Sequence, residues 1–293
     1  MKSVIGVDIG GTAIKAGLLS KHGLEKKLSA PTPKSPEDLV HVVTQLTKKL
    51  LPSHPPSRCG IAVAGLLSPD EKKVVNSPNL RWIENFPLQT SLADALTCPV
   101  SLVNDATAAA QGEIHFGIGI SHPSFLLATL GTGVGGGIVL NGKLWAGAGG
   151  LAGEFGHMKV GHEARCTCGT VGCLEAVASA SAMQRHAKLK NISGTLAEIA
   201  EAARKGDQES RCIFEQAGSY LGQAFGQVAL LMDLRVLVLG GGAGPCADLL
   251  KEATLATTAK QAFGRTAEDF VVLASPLGND AGVLGAGVFT AKI

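Results

Sequence analysis

Charge of one sign, aromatic rings and long apolar runs are all scarce in this chain. Its 26 Lys and Arg stand against 24 Asp and Glu, a formal net charge of +2, so no basic stripe argues for a nucleic-acid partner. Phe, Trp and Tyr make up only 4% of the residues while glycine reaches 38, a balance that suits an α/β enzyme rich in glycine turns. No apolar run reaches membrane-spanning length. The longest, around 228–240, is interrupted by Asp233 and Arg235, which argues against a membrane partner. The start, MKSVIGVDIG, carries one Lys and enters a strand pattern at once, so no signal peptide is expected and the expected location is cytoplasmic. No low-complexity linker interrupts the 293 residues, a length that allows one large domain or two lobes around a sizeable core.

What is abundant is the glycine turn after an apolar strand. Residues 3–9 and 14–20 read as two strands joined by Gly10, Gly11 and Thr12, with Asp8 at the mouth of the turn. Two glycines let backbone N–H groups approach an anion, Thr12 adds a hydroxyl, and Asp8 can orient a hydrated magnesium ion. Residues 125–140 repeat the plan around Gly131, Thr132 and Gly133, which implies a duplicated fold of two facing lobes. A third turn, Gly240, Gly241 and Gly242, follows a strand at 236–239 and precedes a helix near 246–259 that Pro245 can open.

Between the first two turns the pattern predicts helices at 36–50, capped by Ser35, and at 88–97, with a strand near 59–64. The strand at 100–103 then runs into Asn104 and Asp105 and the helix 106–116. Asp105 reads as a base, held ionised by the positive end of the helix dipole at a strand's carboxyl end, where ligands of α/β sheets bind. The competing reading makes Asn104 or Asp105 a plain helix cap. Further helices are predicted at 174–187, 195–204, 208–233 and 281–291, the last capped by the turn 278–280, with a strand at 270–273. The lobes are expected at 1–117, completed by 281–293, and at 118–280.

The stretch GEFGHMKVGHEARCTCGTVGCLEAVAS, 153–179, concentrates the remaining chemistry. Cys166, Cys168 and Cys173 lie within eight positions, with His157 and His162 just upstream, a set that suits a tetrahedral zinc site. Four protein ligands would make the zinc structural. His162 is the local candidate for the fourth ligand. His157 is the distant one, and with metal on one nitrogen its other nitrogen could donate to a ligand hydroxyl. A disulfide is the rival, disfavoured in a reducing compartment. Cys59, Cys98, Cys212 and Cys246 read as core residues.

DIGGTAIKAGLL, VNDATAAAQGE, LGTGVGGGIV, GLAGEFGH, CTCGTVGCLE, LGGG and NDAGVLGAG together resemble the ROK family of bacterial sugar kinases and sugar-responsive repressors, and within it the glucokinases. The resemblance spans nearly the whole chain. It implies an actin-like (ribonuclease H-like, duplicated) α/β ATPase fold whose last helix returns to the first lobe, with ATP and sugar in a cleft and a homodimer as the usual assembly. Carried over residue by residue, Asp8, Gly10, Gly11, Thr12 and Lys15 match the first phosphate loop, Gly131, Thr132 and Gly133 the second, and Gly240, Gly241 and Gly242 the adenosine turn. Asp105 matches the catalytic base, Asn79 and Asn104 lie beside the sugar, and Glu154, His157 and Glu175 match the trio that binds sugar hydroxyls. By the same resemblance zinc falls to His157, Cys166, Cys168 and Cys173. The expected reaction is ATP- and magnesium-dependent phosphorylation of the 6-hydroxyl of glucose. N-acetylmannosamine, N-acetylglucosamine, fructose and allose are the alternatives, decided around Leu66, Leu67 and 149–151. The repressors carry a helix-turn-helix module before the first strand, for which no room is expected here.

Overall fold

The computed structural model describes residues 3–68 and 73–289. The chain divides into two compact units, Met1–Ile120 with Asp280–Ile293, and Ser121–Asn279. The first is built on β1 (Val4–Ile9), β2 (Ala13–Ser20), β3 (Gly23–Pro31), α1 (Pro36–Leu50) and β4 (Arg58–Val63). The small hairpin β5 (Leu66–Ser68) and β6 (Lys73–Asn76) follows, then α2 (Leu88–Leu96), β7 (Val100–Asn104) and α3 (Asp105–Phe116). Its main sheet runs β3-β2-β1-β4-β7. The β1–β2 and β2–β3 pairs are antiparallel and β1–β4 and β4–β7 parallel.

The second unit repeats that order. It contains β8 (Phe125–Leu130), β9 (Val134–Leu140), β10 (Lys143–Trp145), α4 (Glu175–Ala178), α5 (Ala180–Leu189), α6 (Leu196–Arg204), α7 (Gln208–Met232), β11 (Val236–Gly240), α8 (Ala247–Gln261) and β12 (Val271–Ala274). Its sheet runs β10-β9-β8-β11-β12, with the same alternation of antiparallel and parallel pairs. The repeat of the glycine turn therefore extends to a repeat of the whole sheet. Parallel strands buried on both faces need near-continuous apolar sequence. Both β4 (RCGIAV) and β11 (VLVLG) have it, and nearly all of their residues are buried.

Local chemistry sets the helix limits. Ser35 accepts from the Asp38 N–H and Pro36 opens α1, whose Leu39, Val43, Leu46 and Leu50 recur at helical spacing and are buried. Each such side chain contributes about 1.5–3 kcal/mol when removed from water. The final helix, α9 (Ala281–Phe289), packs against α3 and β1 of the first unit. A Cβ on Gly285 would collide with the carbonyl oxygen of Ala108, so the two helices can approach this closely only with glycine there.

Several expectations need correction. The predicted helix 174–187 is two helices, because Ser179 adopts an extended conformation and caps α5 through the Ala182 N–H. Strands β3, β5, β6 and β10 were not predicted. The turn 278–280 is a short 3-10 turn leading into α9. Of the four single cysteines, Cys59 and Cys246 are buried as expected, but Cys98 is half-buried and Cys212 exposed. All seven cysteines are free thiols. Among the described residues no helix is long and apolar enough to cross a membrane.

Candidate active site

In the first unit the glycine turn is tied down from outside. The Gly10 N–H donates to the Ala13 carbonyl at 3.1 Å, and Thr32 fastens both sides, its hydroxyl on the Gly10 carbonyl at 2.6 Å and its N–H on that of Thr12 at 3.0 Å. Asn79 lies against the turn, since a Cβ on Gly11 would stand 3.2 Å from its Cβ. Asp8, near the end of β1, faces Lys15 across the β1–β2 pairing. Burial pushes the Asp8 carboxyl up to about 6, the charge of Asp105 adds to the rise, and Lys15 opposes it. Asp8 is therefore within electrostatic reach of both Lys15 and Asp105.

Asn104 and Asp105 divide the two roles that the sequence left open. Asn104 is the cap: its side-chain oxygen accepts from the Ala106 and Thr107 N–H groups at 3.0 and 3.1 Å, while its amide donates to the Gly65 carbonyl at 3.0 Å. Asp105 takes the first helical position, one residue earlier than expected, with Oδ1 accepting from the Ala106 N–H at 2.9 Å. Placed just beyond the carboxyl end of β7, it lies two strands from Asp8, about 10 Å at normal strand spacing.

In the second unit the other two glycine turns meet at the end of β8. Gly131 donates to the Gly133 carbonyl at 2.9 Å, and the Ala243 N–H reaches the Leu130 carbonyl at 2.9 Å. Gly241 has a φ of 72°, and a Cβ there would lie 2.9 Å from the Leu130 backbone, so both conformation and closeness demand glycine. A Cβ on Gly131, by contrast, would meet no atom within 4 Å. Packing does not require that glycine.

The 153–175 stretch is brought together as a single cluster. Phe155 is buried and anchors a short 3-10 turn, Phe155–His157, that presents Glu154 and His157. Glu154 Oε2 lies 3.8 Å from His157 Nε2, His157 Nδ1 lies 3.9 Å from Cys166 Sγ, and Cys166 Sγ donates to Glu175 Oε1 at 3.3 Å. Glu175 also accepts from the Thr167 hydroxyl at 2.9 Å and, through Oε2, from the Val134 N–H at 3.1 Å. A Cβ on Gly133 would collide with that carboxylate. Glu175 thus joins the cysteine loop to the Gly131–Gly133 turn.

One ligand atom from each of His157, Cys166, Cys168 and Cys173 lies within 4.8 Å of every other. Cys168 and Cys173 Sγ are 3.7 Å apart, where a zinc ion bound at tetrahedral angles would hold two sulfurs about 3.8 Å apart. The donor set and spacing fit the metal. Hydrogen bonds from the Thr170 hydroxyl and N–H hold the Cys168 thiol down to about 6, whereas burial pushes Cys166 up to about 12. His162 is engaged elsewhere. Its Nδ1 accepts from the Ala164 N–H at 2.9 Å, which leaves Nε2 to donate to the Cys173 carbonyl at 3.0 Å, and its ring meets Tyr220 edge-on.

Thr32, Thr167, Thr170 and Lys159 escaped the sequence reading. Thr167 and Thr170, each between two of the clustered cysteines, carry the visible signal; Thr32 and Lys159 act across backbone pairings that no local pattern encodes.

Known proteins complete the picture. The sequence model of the ROK family matches residues 4–292. A glucokinase of Streptomyces coelicolor is 33% identical over 309 aligned positions, covering 98% of this chain and 96% of its own. An N-acetylmannosamine kinase of Escherichia coli is 34% identical, covering 82% and 83%. The solved structure of a ROK family glucokinase from Streptomyces griseus, in complex with glucose and AMPPNP, is 32% identical, superposes with a TM-score of 0.88 and covers 99% of this chain and 100% of its own. With the motifs, the duplicated sheet and these likenesses in agreement, the chain belongs to the ROK family and has the actin-like ATPase fold of its sugar kinases.

Proposed function

We propose that the protein is an ATP- and magnesium-dependent hexose kinase that phosphorylates the 6-hydroxyl of glucose. The observation that carries the reading is Asp105, which opens α3 while Asn104 caps it, set beyond a strand's carboxyl end within electrostatic reach of Asp8. Phosphoryl transfer through a loose transition state asks the protein to position groups and neutralise charge. With the Gly10 and Gly131 N–H groups committed within their own turns, the N–H groups of Gly11, Thr12 and Gly133 would hold phosphate oxygens. Asp8 would orient the hydrated magnesium that accompanies ATP and supplies positive charge; a cation there would offset the burial that raises its carboxyl. Asp105 would accept the proton of the sugar hydroxyl as it attacks.

Glu154, His157 and Glu175 would receive the ring hydroxyls. A sugar lacking one of them leaves a polar group unpaired, which costs affinity and makes the site selective. Zinc would be held by His157 Nδ1 and the three thiolates as a structural brace, leaving His157 Nε2 on the side of Glu154.

The likeness to N-acetylmannosamine kinases supports a second reading, an N-acetylhexosamine kinase. A coupled ADP-release assay over glucose, N-acetylmannosamine, N-acetylglucosamine, fructose and allose separates the two, and a repeat with polyphosphate identifies the donor. Glucose is expected to give the highest kcat/KM. A preference for an N-acetylated sugar would replace the reading, and no turnover of any sugar would overturn it.

A further inference from the structure

Lys159 lies two residues beyond His157 and directly opposite Cys173, in a short antiparallel pairing held by Val160 N–H to Gly172 O at 3.0 Å and Leu174 N–H to Met158 O at 2.9 Å. Residues facing each other in such a pair share a side. The Lys159 ammonium reaches the Thr170 hydroxyl at 2.6 Å, the Val171 carbonyl at 2.7 Å and Cys173 Sγ at 3.1 Å. An ammonium group has three hydrogens to donate and accepts nothing. All three have a partner in the cysteine loop.

Thr170 continues the arrangement. Its Oγ1 lies 3.1 Å from Cys173 Sγ and 3.2 Å from Cys168 Sγ. Because that oxygen accepts from Lys159, its own hydrogen is available to a sulfur. Two of the three clustered thiols therefore face donors supplied by one lysine and the threonine it orients. Charge supplies the second half of the argument. Three thiolates and a neutral imidazole around a divalent cation leave one net negative charge, and the Lys159 ammonium offsets it at hydrogen-bond distance.

We propose that Lys159 is an outer-sphere positioning residue of the metal centre. It clamps the 165–173 loop in its ligating shape and, with Thr170, stabilises the Cys173 and Cys168 thiolates. The inference rests on the zinc reading given above. An arginine cannot reproduce it fully, because a planar fork does not place three donors around one point.

The test is zinc affinity, not activity. Wild-type protein, Lys159→Met, Lys159→Arg and Thr170→Val are each loaded with one equivalent of zinc and titrated with a chromophoric chelator. Loss of an outer-sphere partner lowers metal affinity roughly 10- to 100-fold. Lys159→Met should show that loss, Lys159→Arg an intermediate one, and Thr170→Val a few-fold loss. Cobalt substitution gives a readout that misfolding would not mimic: Lys159→Met should keep tetrahedral d–d bands while its thiolate-to-cobalt charge-transfer band shifts. Wild-type zinc affinity and an unshifted cobalt spectrum in Lys159→Met would overturn the role of the lysine. A wild-type protein that takes up no metal would instead remove the metal centre, and this inference with it.

Discussion

The two sheets share one strand plan, yet their glycine turns are built for different neighbours. In the first unit the strand entering the turn carries Asp8, raised to about 6 by burial and by the charge of Asp105 at the start of α3. In the second unit the turn after β8 has no acid of its own, and the carboxylate that touches it, Glu175, comes from a cysteine-rich insertion more than 40 residues later. Duplication supplies the scaffold, and the divergence lies in which charged group each turn receives. One copy carries acids on its own strand and on the helix after β7, while the other takes its acid from the start of α4, beyond the cysteine loop.

The largest expected effect breaks the first copy. Asp105→Ala should lower kcat by about 10²–10⁴-fold while calorimetry still detects sugar binding; substantial retained turnover would show that the base is another residue. Next comes the brace of the second copy. Protein purified without added zinc should carry about one equivalent by metal analysis, and Cys168→Ser should lose it together with thermal stability and sugar affinity. Fully active, metal-free protein would contradict this.

The two glycines of the second turn sharpen the contrast. Gly133→Ala sets a methyl against the Glu175 carboxylate and should cost about 2 kcal/mol in denaturant unfolding, with raised KM for both substrates. Gly131→Ala meets no neighbour and should leave stability unchanged while raising KM for ATP. Equal stability losses at the two positions would undo the distinction.

Asp8 gives the smallest effect and a sign. Its carboxyl, raised to about 6 in the folded protein, lies above the unfolded chain's 3.8, so the folded state favours the protonated form. That stabilisation is complete below about pH 4 and is lost as pH rises through 6. Asp8→Asn should therefore match the wild type at pH 4 and exceed it by on the order of 1 kcal/mol at pH 8, discounted for partial exposure. The same variant should bind magnesium–ATP more weakly. A wild type more stable than the variant at pH 8 would reverse the assignment.

Much of this is legible in the sequence. The glycine turns and their flanking strands stand out because an apolar run ending in glycine is a local pattern, and the cap at Ser35 follows from a side chain that reaches only three residues. β3 was missed because it is an edge strand rich in charge, GLEKKLSAP, with Lys26 and Lys27 facing solvent. The break at Ser179 was missed because the apolar pattern continues straight through it.

By itself the sequence determined the duplicated layout, the cluster of candidate ligands and the carboxylate at the head of α3, because each depends on neighbours along the chain. Only the tertiary structure gathered His157 with the three thiols, joined Glu175 to the turn at Gly133, and set Lys159 against Cys173. Those outcomes depend on contacts between residues 9 to 41 positions apart, where contact is governed by how the loop folds back and not by the residues beside it.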